Sequence, residues 1–217
     1  MLLQGQDVRQ APIEMLSRHL AVVLTGRHAA ANLKVEELVA LGRIPHTGWT
    51  GRLRPVDQEA ITQALTQTGA AYLRGRLVHE LSDGQRQKVF IARALAQETE
   101  LLILDEPTAH LDLPNRYLIM QLLREVAHKQ HKAVLVVTHD LDIAIETADV
   151  FWLMRCGAPL LSGSPEDLIL SGELASLFEG SQLYFDRLQG SMRFQASAAQ
   201  RGFPGIPWRS SGSAKPS

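Results

Sequence analysis

The stretch "HELSDGQRQKVFIARALAQETELLILDEPTAHLD", residues 79–112, decides the fold. Its apolar run LLIL (101–104) stops abruptly at Asp105, Glu106 and Pro107. In parallel sheets, ligands gather beyond the carboxyl ends of the strands. Two adjacent carboxylates there divide labour. Asp105 is a candidate for Mg²⁺, held through water because that ion keeps much of its hydration shell. Glu106 is a candidate for polarising an attacking water. The plainer reading is a solvated strand end before the turn-former Pro107. Upstream, Ser82 and Gln85 stand three apart at a helix start, a capping box. A helix start is also an anion site, and Gly84 lets the backbone come close to a phosphate. His139 ends the aliphatic run AVLVV (133–137), at the same kind of strand end. There it is placed to bond a γ-phosphate or orient water, where an isolated histidine is ordinarily a surface or core residue. The other seven histidines have no such placement and receive no role.

Three aliphatic runs, 20–24, 101–104 and 133–137, read as fully buried strands, as expected when helices cover both faces of a sheet. A fourth strand is expected over 149–154. Apolar stripes between them predict helices: Val35, Leu38, Val39 and Leu41; Ile61 and Leu65; Val89, Ala92, Leu95 and Ala96; Leu118, Leu122, Leu123 and Val126. Alternating strands and helices predict an α/β fold with a largely parallel sheet. Residues 26–97 hold helices and no convincing strand, so they read as a helical insertion. From about Gln195 the chain turns to Ser, Gly, Pro and Ala and is expected to be disordered, with Phe203 and Trp208 as possible anchors.

The bulk numbers exclude several classes. The net charge of −1 gives no electrostatic case for a nucleic-acid partner. Cys156 is the single cysteine, which rules out an intrachain disulfide framework. Aliphatic runs of five residues fall far short of the roughly 20 that a membrane-spanning helix needs. The first residues have no basic start and no long apolar core, so they are not a signal peptide.

Taken together, the motifs resemble the ATP-binding-cassette (ABC) ATPases, the motor subunits of ABC transporters, over about residues 1–170. Leu81-Ser82-Asp83-Gly84-Gln85 resembles the family signature LSGGQ, with Asp83 in place of a glycine. Residues 101–106 resemble the Walker B strand, Ala109-His110-Leu111-Asp112 the D-loop, and His139 the switch histidine. "ELVALGRIPHTGW" (37–49) and "DEPTAHLDL" (105–113) resemble importers of ferric siderophores, haem and cobalamin.

The resemblance implies a P-loop NTPase-like (RecA-like) parallel-sheet core with a helical subdomain at about 26–97. It implies ATP and Mg²⁺ as cofactors, with Glu106 and His139 catalytic and Asp105 on Mg²⁺. Ser82, Asp83, Gly84, Gln85 and Asp112 would touch ATP. The family works as a head-to-tail dimer of ATPase subunits on transmembrane permease subunits, with a substrate-binding protein engaged indirectly. That places it in the cytoplasm, on the inner face of the inner membrane. Residues 1–168 would form the ATPase domain, 169–194 an extension and 195–217 the tail.

Two departures stand out. The phosphate loop G-x-x-x-x-G-K-[ST] does not occur, since none of the five lysines follows a glycine. "LLQGQDVRQAPIEMLSRHLAVV" resembles the segment after that loop, so the core is expected to be incomplete at its N-terminal side and the chain inactive alone. The glutamine that follows the first strand in the family is replaced by Thr25, which is shorter. Two other readings stay open: a non-catalytic partner offering only its signature motif in trans, and a non-transport ABC ATPase.

Overall fold

Short aliphatic runs separated by capped helices build a parallel sheet. The computed structural model describes residues 2–3, 5–24, 32–48, 51–177, 183–186 and 191–194. Thr25 and the 195–217 tail therefore lie outside the described residues. A small antiparallel hairpin, β1 (Leu2–Leu3) with β2 (Gln6–Asp7), precedes α1 (Ile13–His19), which runs directly into β3 (Leu20–Val23). Helical elements follow: α2 (Val35–Ala40), a 3₁₀ turn (Leu41–His46), α3 (Pro55–Gln67), 3₁₀ turns at Ala71–Leu73 and Val78–Glu80, and α4 (Asp83–Leu95). Then come β4 (Leu101–Asp105), α5 (Leu113–Gln130), β5 (Ala133–Val137) and α6 (Leu141–Thr147).

Strands β3, β4 and β5 lie side by side in that order, all parallel. Ala21, Leu102 and Val134 share one row and Val23, Leu104 and Val136 another. These rows face the core, where Ala21, Val23, Leu102 and Leu104 are buried. The opposite face differs from the sequence expectation. Val22 is 38% exposed there, and Ile103 and Leu135 are only half-buried. The runs are continuous in hydropathy, yet among the described residues only one face is fully covered.

The fourth strand is present but stands outside the parallel sheet. Phe151–Leu153 forms β6, but it pairs antiparallel with β7 (Leu161–Gly163) rather than joining the parallel sheet. It belongs to a second compact unit, which begins at Asp149 where the first ends at Ala148. That unit continues through α7 (Pro165–Ser171), α8 (Glu173–Ser176) and the antiparallel pair β8 (Leu183–Asp186) and β9 (Ser191–Phe194).

The helical part of the first unit packs around Leu38, Ile61, Leu65, Leu73 and Ile91, all essentially inaccessible to solvent. Full burial of each such side chain is worth about 1.5–3 kcal/mol. Leu41 and Leu118, expected on the apolar stripes, are instead 44% and 50% exposed. Leu41 opens the tighter 3₁₀ turn, whose three-residue repeat takes it off the α-helical stripe.

A buried ionic knot closes this part. Arg43, 2% exposed, donates through Nε to Asp57 Oδ1 at 3.1 Å and through Nη1 to Ala96 O at 2.7 Å. Asp57 Oδ2 accepts from the Arg54 backbone N–H at 2.9 Å and from Arg54 Nε at 3.2 Å. Next to it, Gly42 meets the far end of α4 so closely that a Cβ would lie 2.1 Å from Arg93 O. Gly42→Ala is therefore expected to cost about 1–3 kcal/mol, the usual penalty for overpacking. Urea unfolding measures it, and an unchanged midpoint would show that the turn yields freely.

Candidate functional site

Strand β4 delivers Asp105 and Glu106 to the carboxyl edge of the sheet. The Glu106 N–H donates to Val137 O at 2.8 Å, extending the pairing with β5 by one residue. The backbone then turns sharply. Glu106 has φ 46° and His110 φ 64°, the left-handed region that non-glycine residues seldom occupy. Such strain is kept where surrounding structure enforces it, commonly at functional sites.

The Glu106 carboxylate is held at both oxygens. Oε1 accepts from the His139 backbone N–H at 3.1 Å and lies 2.7 Å from His139 Nδ1. Oε2 accepts from the Thr138 hydroxyl at 3.3 Å. Glu106 is 24% exposed, while His139, at 85%, leaves most of its ring in solvent. The carboxylate is thus fixed in direction with a face open to water, and Nε2 of the histidine is available for a further bond.

Across from this edge stands the first part of α4. Asp105, Glu106, Ala109, His110 and Leu111 line one wall of a cleft of about 240 Å³; Asp83, Arg86, Gln87 and Phe90 line the other. Asp83 and Arg86 form an ion pair across one helical turn. The cleft brings Asp83 together with Asp105 and Glu106, and His139 joins through its bond to Glu106.

Ser82, Gly84, Gln85 and Asp112 do not line this cleft. Ser82 caps α4: the Gln85 N–H donates to Ser82 Oγ at 3.3 Å and the Ser82 N–H to Gln85 Oε1 at 3.1 Å. Asp112 caps α5, accepting at Oδ1 from the Asn115 N–H at 3.0 Å and from Asn115 Nδ2 at 2.7 Å. Gly84 packs closely on α5: a Cβ there would lie 3.1 Å from the Asn115 side chain.

Several residues at the site were not singled out in the sequence. Arg86 was detectable as a cation three residues after Asp83. His110 had been given no role of its own, yet it lines the cleft. Thr138 carries no sequence signal; its role appears only once β4 and β5 are paired.

Comparison with known proteins gives the family. The pattern of the ABC transporter family matches residues 1–109. The chain belongs to the ABC transporter family. Among curated relatives, the achromobactin transport ATP-binding protein of Dickeya dadantii is 35% identical over 82% of this chain and 66% of its own length. The iron(3+)-hydroxamate import ATP-binding protein of Bacillus subtilis is 36% identical over the same shares of each chain. The ferric enterobactin transport ATP-binding protein of Escherichia coli is 34% identical, over 77% of this chain and 62% of the relative. This ABC chain therefore spans slightly less than two thirds of the length of these relatives. Among solved structures, cbiO1 of Clostridium perfringens, part of an ABC transporter complex, aligns with a TM-score of 0.68 at 28% identity, covering 82% of this chain and 70% of that one. The parallel sheet and its helices are those of a P-loop NTPase-like α/β core.

Proposed function

We propose that this chain is the ATP-binding and ATP-hydrolysing motor component of an importer for iron complexes, ferric siderophores or haem. The observation that carries it is the Glu106 carboxylate, fixed at a strand end by His139 and Thr138 and facing a cleft. The relatives' names, for achromobactin, iron-hydroxamate and enterobactin transport, support the substrate class.

In this reading Glu106 accepts a proton from the water that attacks the γ-phosphate, and His139 Nε2 orients that water or bonds the phosphate. Asp105 would hold Mg²⁺ through water. The donor set fits such an ion: the carboxylates of Asp105, Glu106 and Asp83 line one cleft, hard oxygen donors of the kind Mg²⁺ takes. Mg²⁺ at nucleotide sites takes few protein ligands and fills the rest with water and phosphate oxygens. Ser82, Asp83, Gly84, Gln85 and Asp112 would meet ATP held by a second ATPase subunit, through the amide-rich start of α4.

The permease would dock in a groove of about 520 Å³ between α1 and the 3₁₀ turn. Its rim shows Ile13, Leu41 and Ile44, exposed at 75%, 44% and 62%, with Glu14 and Arg18 beside them. An amphipathic helix of a membrane subunit matches that mixture of apolar and charged groups. No helix among the described residues is long and apolar enough to cross a membrane. We place the protein on the cytoplasmic face of the inner membrane, with the substrate-binding protein reached only through the permease.

The second reading, a partner acting in trans through its signature residues, is favoured by one observation: Ser82 and Gln85 cap the start of α4 reciprocally, which leaves an ordered, amide-rich helix start to meet a phosphate. Both readings predict ATP-dependent association with a complete related subunit made hydrolysis-deficient. Size exclusion with ATP should show the heterodimer. Ser82→Arg should abolish it, and Ser82→Thr, which keeps the cap, should not. No association at any ATP concentration would sink both readings.

A further inference from the structure

The ordering of the Glu106–His139 pair does not end at those two residues. Arg116, in the first turn of α5, donates through Nε to Leu111 O at 2.8 Å. Its Nη1 donates to Asp140 Oδ2 at 3.0 Å. Leu111 belongs to the strained loop that follows Glu106, and Asp140 directly follows His139. The Asp140 N–H donates to Thr138 Oγ1 at 3.0 Å, and the Thr138 hydroxyl donates to Glu106 Oε2. The contacts close a ring. It runs from Glu106 along the loop to Leu111, across Arg116 to Asp140, and through Thr138 and His139 back to the same carboxylate.

An arginine suits this place. Its rigid planar fork holds donors at fixed separation, so it serves two acceptors on different loops at once. Arg116 is 39% exposed and Asp140 22%, and a pair as open as this contributes little to stability. What the fork supplies is a constraint: from α5 it holds Leu111 O on one segment and the Asp140 carboxylate on the other. The sequence motif contains neither residue.

We propose that Arg116 is a positioning residue: it braces the 109–112 loop against the 138–140 turn, so that the loop and the Glu106–His139 pair shift together. This deepens the function proposed above and rests on it for its meaning, since a displacement of Asp112 by a second subunit would then reorient Glu106.

The test uses the 217-residue protein without nucleotide, by amide hydrogen exchange and by the His139 ring resonances in NMR. The reporters are the Ala109 and Leu111 N–H groups, bonded to Glu106 O and Thr108 O, and the His139 N–H on Glu106. Arg116→Gln is expected to speed exchange at all three by about tenfold or more and to shift the His139 ring signals. Asp140→Ala, made on the opposite loop, is expected to do the same at Ala109 and Leu111, which Asp140 does not touch. Leu123 and Val126, buried inside α5, should keep their protection in both variants and so report intact folding. Unchanged exchange at Ala109 and Leu111 in folded Asp140→Ala would overturn the brace. So would unmoved His139 ring signals in folded Arg116→Gln. No step needs ATP, so a failed ATP-dependent association would sink the functional reading while leaving this result intact.

Discussion

Glu106→Gln is expected to lower phosphate release by the ATP-hydrolysing assembly that contains this chain by about 10²–10⁴-fold, the usual worth of a general base. The amide keeps the shape of the carboxylate and removes its charge and basicity. Its oxygen still accepts from the His139 N–H, so the loop geometry should survive. Its nitrogen replaces an acceptor by a donor, however, and cannot take a proton from water. ATP affinity is expected to hold within a few fold, because catalysis here is mostly positioning and charge stabilisation rather than ground-state binding. Phosphate release and nucleotide binding, measured on the same vesicle-reconstituted preparation, separate the two effects. A turnover unaffected by the substitution would remove Glu106 from its role. A loss of ATP binding as large as the loss of rate would make the residue a structural one.

Arg43→Leu is expected to destabilise the first unit by about 3 kcal/mol. Removing one member of a buried ion pair costs about 3–5 kcal/mol, and Arg54 remains beside the carboxylate, which puts the effect at the lower end. For a chain of this size that corresponds to a melting temperature about 6–12 °C lower. The pH dependence has a definite sign. The Arg54 backbone N–H and then the Arg54 side chain hold the Asp57 carboxyl well below the usual carboxylate range, burial opposes them, and Arg43 adds to the lowering. A carboxyl depressed in the folded state stabilises above its unfolded pKa of about 3.9, and that contribution fades as the pH falls below it. The unfolded carboxyl is common to both proteins, so the difference between Arg43→Leu and the parent should be full at neutral pH and can only shrink in acid, as the variant's less depressed carboxyl takes up its proton first. Thermal melts at pH 7 and pH 3 check this; a difference that grows in acid would refute the role given to Asp57.

Much of the fold was legible because its signals are local. The runs at β3, β4 and β5 fell within a residue of their observed ends, and Ser82 announced the start of α4 through capping chemistry. What failed was non-local. The 149–154 run has the hydropathy of any strand, and nothing in it encodes that β7 is its partner. Burial on both sheet faces was inferred from continuous hydropathy, which reports what a strand tolerates and not what covers it. At the site, Asp105, Glu106 and His139 were readable from their places at strand ends. Thr138 and Arg116 were not, because their partners lie 32 and 24 residues away and meet only when the strands pair.

Helix α4 has one end in the cleft, at Asp83, and the other jammed against the 3₁₀ turn, where Arg93 O abuts Gly42 and Ala96 O receives Arg43. Just beyond it, Gln97 Nε2 donates to Ser17 O and Leu20 O, and His46 Nε2 lies 2.8 Å from Gln97 O. The helix is thereby a connecting rod clamped at its rear bearing. Its 13 residues span roughly 20 Å, so a tilt of about 5° at the clamp swings the Asp83 end by about 1.7 Å. That stroke is comparable to the difference between a hydrogen bond made and one broken, and work done at the groove would arrive at the cleft as a gain or loss of contact rather than as gradual strain.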